Sequence, residues 1–199
     1  MEYQNKYNLP PELVTVVDRE LDASEQVEWV GQPIAARFAR QAIPMAVFGI
    51  PWTAFAIFWT LTASGMTTHG HGGGLQWLFA LWGVPFILVG FGLLTSPYWM
   101  RLRAKRMAYL LTERRAIIIS LGFRSNVGIR SFEASALADL RRRERADGSG
   151  DLIFTRDPAG ANRGRNTPMA VGFMAIRDVK DVEDRVRRLI QQARNAPVS

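Results

Sequence analysis

Residues 43–64 read IPMAVFGIPWTAFAIFWTLTAS, twenty-two residues without an acid or a base. The fold turns on whether such a run is a buried core helix or a membrane span. Its surroundings favour the span. From Gln41 to Met100 the chain carries no Asp, Glu, Lys or Arg, although 25 Lys and Arg and 18 Asp and Glu crowd the remainder. A second run, LQWLFALWGVPFILVGFGLLTS, fills 75–96 and is also twenty-two residues long. A helix of that length reaches roughly 33 Å, enough for a hydrocarbon core of ~30 Å. Pro44, Pro51 and Pro85 would damage soluble helices, but spans tolerate proline where neighbouring groups satisfy the freed carbonyls. Trp77 at one end and Tyr98 and Trp99 at the other suit the interfacial aromatic belt. Residues 41–100 are therefore expected to form a two-helix transmembrane hairpin.

The turn of that hairpin contains THGHGGG (68–74), with His69 and His71, the protein's only histidines. Metal sites normally take three or four ligands, and here there is no cysteine in the chain and no carboxylate nearby. The loop reads as a polar turn, the alternative being weak metal binding by the pair, shared between subunits. The cations lie on the other side. Arg37 and Arg40 precede the first span, Arg101, Arg103, Lys105 and Arg106 follow the second, and the connecting loop has none. Positive charge stays inside, so both termini are expected in the cytoplasm. The opening MEYQNKYNLPPELV lacks the apolar core of a cleaved signal.

A net charge of +7 raises nucleic acid as a partner, but no nucleic-acid motif or aromatic interleaving accompanies the basic patches. For a membrane-tethered chain, anionic headgroups are the simpler partner. The cluster RLRAKR (101–106) either fixes topology or meets those headgroups, at about 1 kcal/mol per charge, and one residue can do both. A second basic stripe, Arg141, Arg143 and Arg145, is expected on one face of a strand within LRRRERAD. It reads as a charged edge that resists aggregation or as a contact for an acidic surface.

The cytoplasmic segments are 1–40 and 101–199. The first holds a short helix in LPPELVTVVDREL, with Leu13, Val16, Val17 and Leu21 on one face, then a strand in EQVEWVGQP (25–33). In the second, AYLLT (108–112), AIIISL (116–121), NVGIRSFEA (126–134), the two segments around DGSG (147–150) and AVGFMAI (170–176) read as strands. A helix from about Asp178 follows, with Val179, Val182, Val186, Leu189, Ile190 and Ala193 as its apolar stripe. The fold class is α+β, a small barrel or bent antiparallel sheet closed by a C-terminal helix, beside the hairpin.

These features resemble the membrane-anchored bacterial proteins with a pleckstrin-homology-like domain. The resemblance is carried by EQVEWVGQP (Trp29, Gly31, Pro33), by YLLTERRAIII (Tyr109, Thr112, Arg115), by the L-x-x-L…DGSGDLIF hairpin and by the F-x-x-I-x-D-V entry into the last helix. It covers roughly 25–196. It implies a PH-like fold whose VEWVG strand joins the sheet from across the hairpin, a bacterial inner-membrane location, and no catalysis. Eukaryotic phosphoinositide binding is not carried over, because no lysine-rich strand-loop-strand is present.

No P-loop, G-x-G-x-x-G, G-x-S-x-G or metal-ligand spacing occurs. No ionisable residue lies inside either span, unlike an ion or proton path. Gly49, Gly83, Gly90 and Gly92 offer close helix approach. The expectation is a non-catalytic membrane scaffold, assembly factor or accessory subunit without cofactor or small-molecule substrate. It would bind a membrane protein or its own copies. The alternative is an adaptor that senses anionic lipid.

Overall fold

The computed structural model describes residues 7–63, 76–122, 126–137, 139–157 and 169–195, with backbone alone at 76–80, 156–157 and 169. The described residues form an α+β structure of six α-helices, one short 3-10 turn and two antiparallel sheets. The chain divides into two compact units, one made of 1–38 with 102–199 and the other of 39–101.

In the first unit, α1 (Pro11–Glu20) precedes β1 (Val27–Gly31). After the 39–101 unit come β2 (Met107–Thr112), β3 (Arg115–Leu121) and β4 (Val127–Glu133), which with β1 make a sheet of order β1-β2-β3-β4. β5 (Arg141–Glu144), β6 (Gly150–Asp157) and β7 (Met169–Ile176) make the second sheet, and α6 (Val179–Asn195) closes the chain. β1 and β2 pair antiparallel although the whole 39–101 unit separates them in sequence.

Alternation along the strands produces two cores. Tyr109, Leu111, Ala116 and Ile118 face a cluster with Phe154, Phe173 and the α6 residues Val179, Val182, Val186 and Leu189. Ala108, Leu110, Ile117 and Ile119 face the other way, onto Leu13 and Val17 of α1. Successive strand residues point to opposite faces. With both faces covered, β2 and β3 read as continuous apolar runs rather than as alternating ones. α1 meets the sheet through two residues one helical turn apart, with Val16 and Leu21 only partly buried. Ala193, expected on the α6 stripe, is exposed beyond the end of the packed surface.

The DGSG segment forms the β5–β6 connection. Gly148 has φ +76°, a conformation that favours glycine, and its N–H donates to the Arg145 carbonyl at 2.9 Å.

The second unit contains α3 (Ile43–Ala63) and α4 (Gln76–Leu94), entered through α2 (Ala35–Arg40) and left through α5 (Ser96–Lys105). α3 and α4 pack antiparallel: Gly49 lies against Leu93, Thr53 against Gly90, and Thr60 against Gly83. Trp52 Nε1 donates to the Phe86 carbonyl at 3.2 Å. Among the described residues one helix, Ile43–Ala63, is long and apolar enough to cross a membrane. There are two such spans if Leu81–Leu94 and Ser96–Lys105, bent by 51°, count as one. Sequence periodicity did not separate α5 from the preceding span, nor show α2.

Candidate functional site

The two sequence stretches EQVEWVGQP and YLLTERR meet side by side, since Gly31 lies opposite Tyr109 and Val27 opposite Thr112 in the β1–β2 register. Just before β1, the buried Glu25 carboxylate takes Arg115 Nε at 2.9 Å and Nη2 at 2.8 Å, and accepts from the Thr112 hydroxyl at 2.7 Å. Arg115 also donates to the Glu20 carbonyl at 3.1 Å, which ties the end of α1 to the same point. The hydrogen-bonded guanidinium outweighs the opposing effect of burial and holds the Glu25 carboxyl at about 2, well below the usual value. The same bond raises the Arg115 guanidinium.

Trp29 sits four residues on. Its ring lies 5.4 Å from Phe173, which in turn is 5.0 Å from Tyr109 and 4.7 Å from Phe154. Trp29 is half-buried rather than fully enclosed, because β1 is the edge of its sheet. The indole covers Gly31 closely enough that a Cβ there would collide with the six-membered ring. Pro33 is buried. Burial raises the Tyr109 hydroxyl above its ordinary value, and its oxygen makes no hydrogen bond of normal geometry among the described residues.

The basic residues are spread over several places. Arg101 belongs to the 39–101 unit, while Arg103, Lys105 and Arg106 belong to the other, and all four are exposed. Arg141 and Arg143 lie on β5, but Arg145 falls in the connection beyond it, so the three-residue stripe is shortened to two. Arg141 approaches Asp139 at 3.4 Å and Arg145 meets Asp151 at 3.2 Å. The residue between the stripe members, Arg142, turns to the helix side and pairs with the buried Glu183 of α6 at 2.7 Å. His69 and His71 lie outside the described residues. No group of three or more potential metal ligands occurs among the described residues.

Two arrangements carry no local sequence signal. Arg37 of α2 binds the side chains of Asp147 and Ser149 at the DGSG turn. A groove of about 620 Å³ runs beside the WVGQP segment, between Lys105 and the residues that open α6, including Arg177, Asp178 and Asp181. The residues that meet here form a non-local clasp with an open groove alongside.

No protein-family model, curated protein or solved structure matches the chain.

Proposed function

We propose that the chain is an integral membrane protein of non-catalytic character. The α3–α4 pair would be a transmembrane hairpin, and the other unit would be a PH-like domain that docks a membrane protein or a second copy of the chain. The observation that carries this reading is the outward display of large apolar side chains on both helices. Phe58 is 67%, Trp82 70% and Phe91 63% exposed. Each large apolar side chain kept from water is worth about 1.5–3 kcal/mol, so a surface so dense in them needs lipid or a partner. The helix faces hold no ionisable group, which suits lipid.

The PH-like reading draws support from the four- and three-stranded antiparallel sheets with a C-terminal helix over their shared core. The cations flanking the helix pair support a reading with both termini in the cytoplasm, and the same residues suit the second reading, contact with anionic headgroups.

Carbonate washing of membranes tests the membrane part: the chain should stay with the pellet and leave only with detergent. Recovery in the carbonate supernatant would sink it. Mild-detergent pull-down of the full chain with mass spectrometry tests the scaffold part. A stoichiometric protein partner, or a discrete oligomer by light scattering, is expected. A monodisperse monomer without partners whose soluble-face residues bind acidic vesicles in a salt-sensitive way would favour the lipid adaptor instead.

A further inference from the structure

We propose that β4 is an interface between two copies of the chain: their β4 strands pair antiparallel about a two-fold axis and join two four-stranded sheets into one. The proposal deepens the docking role inferred above by choosing a second copy as the occupant and an edge strand as the surface. β4 ends the sheet order β1-β2-β3-β4, and its outer edge pairs with no strand among the described residues. A bare edge presents a row of backbone N–H and carbonyl groups that an extended chain can complete. Proteins therefore blunt such edges with bulges, charge, short length or cover.

The other three strands that end a sheet are blunted in this way. β1 is broken by a register shift between Val27 and Trp29, and its Glu28 carbonyl accepts from Arg185 Nη1 at 3.1 Å. β5 is four residues long, and all of them are charged. The Ala175 carbonyl of β7 accepts from the Ile34 N–H at 2.8 Å. β4, by contrast, keeps step with β3 over seven residues without a shift, from Arg115↔Glu133 to Leu121↔Val127. Its first three residues, Val127, Gly128 and Ile129, carry no charge. Val127 and Ile129 are 44% and 38% exposed, the two most open large apolar side chains described in the unit made of 1–38 and 102–199. They stand two residues apart, so they share a face of the sheet. Their partners on that face in β3 are Leu121 and Ile119. The core under α1 takes in Ile119, with Leu121 packed against it, and Val127 and Ile129 lie beyond.

The strand suits its own copy. A two-fold axis perpendicular to the sheet keeps every residue on its own face, so directly opposed residues differ by an even number of positions. Centring the pair on Ile129 sets Ile129 against itself, Val127 against Ser131 and Gly128 against Arg130. Val127 and Ile129 of both copies then form one apolar row. Centring on Arg130 would oppose two like charges, and centring on Ser131 would set Ile129 against Glu133. A second copy also brings a strand that is already extended and of equal length, whereas an unstructured peptide loses conformational freedom on docking.

The chain has no cysteine, so disulfide formation reads the register directly. Opposed residues of an antiparallel pair stand about 4.5–5.5 Å apart between Cα atoms, within the roughly 4.4–6.8 Å that a disulfide spans. The full chain carrying Ile129→Cys, treated in intact cells with a permeable thiol oxidant, should run mostly as a disulfide-linked dimer. Ser131→Cys, about 14 Å from its own copy, should stay monomeric alone and link to Val127→Cys when the two are co-expressed. Ile129→Lys should halve the mass of the purified chain by light scattering and leave its circular dichroism unchanged. Ile129→Cys that links no better than Ser131→Cys overturns the proposal. An oligomer whose mass is indifferent to Ile129→Lys also overturns it, and leaves self-association through another surface standing. A different protein that co-purifies with the chain and is lost with Ile129→Lys, without any Ile129→Cys dimer, overturns the second copy and keeps the docking role. A chain that is monomeric and without partners in every assay overturns both.

Discussion

Arg115 grips Glu25 with two nitrogens, at 2.9 and 2.8 Å, across ninety residues of sequence. The carboxylate side chain is wholly inaccessible to solvent. This pair joins the segment before β1 to the β2–β3 turn, and its strength is readable in acid. Glu25 is held at about 2 in the folded protein against an ordinary value of 4.5, with the Arg115 hydrogen bond as the main cause. A group depressed on folding contributes stability that is complete above its unfolded pKa and is lost as pH falls toward its folded one. The contribution should therefore fade between about pH 4.5 and 2. At about 1.4 kcal/mol per pH unit it amounts to roughly 3 kcal/mol. Denaturant midpoints of the wild type should fall across this window, and Glu25→Gln should be less stable at pH 7 with a flatter acid limb. A wild-type slope unchanged by Glu25→Gln would show that the pair contributes nothing.

Trp29 tests whether the segment before the helix pair stabilises the one after it. The half-buried indole packs at a tilt against Phe173, so Trp29→Ala should cost about 2–3 kcal/mol, below the ~3–5 kcal/mol of a fully enclosed tryptophan. Trypsin should then cleave within 107–157 at lower denaturant. Gly31→Val should act in the same direction, since its side chain would displace the indole. A cleavage pattern indifferent to both would refute the coupling.

The helix pair offers an internal control. A Cβ at Gly83 or Gly90 would strike Thr60 or Thr53, while one at Gly92 meets nothing within 4 Å. Gly83→Val and Gly90→Val should each destabilise the pair by about 1–3 kcal/mol, seen as a lowered thermal midpoint in detergent. Gly92→Val, with the same cost in helix propensity, should fall by much less. Equal losses at all three sites would mean that the close approach is unimportant.

The proposed sidedness, drawn from the flanking cations, can be read directly. A cysteine placed at Ser64 should react with an impermeant maleimide on intact cells, and one at Ser199 only after lysis, since the chain has no native cysteine to interfere. The reverse pattern would invert the topology.

Several elements were legible because their signals are local. The apolar runs, the DGSG turn and the α6 stripe follow from spacing that a few neighbouring residues determine. What stayed hidden depends on contacts between distant residues. Nothing near Arg142 in sequence says that it will reach Glu183, and its neighbours Arg141 and Arg143 suggested a stripe in which it had no part. Arg37 reads as a topology signal, yet its guanidinium is bound to Asp147 and Ser149. The groove was invisible for the same reason: the residues that line it come from both sides of the helix pair in sequence order.

The placement of β1 ahead of the helices and β2 behind them also fixes a timetable for synthesis. The strand VEWVG leaves the ribosome first and has no sheet to join until β2, β3 and β4, through Glu133, are made. At about 5–20 residues per second that delay is roughly 5–20 s. Until then the Trp29 strand is an unpaired edge, exposed to chaperones and proteases. If the helix pair is a transmembrane hairpin, a nascent chain in which only one helix had crossed would leave β1 and β2 on opposite sides of the membrane, unable to pair. Completion of the sheet would then report that both helices had reached their place, and chains stalled earlier would be marked for degradation by the very strand they could not bury.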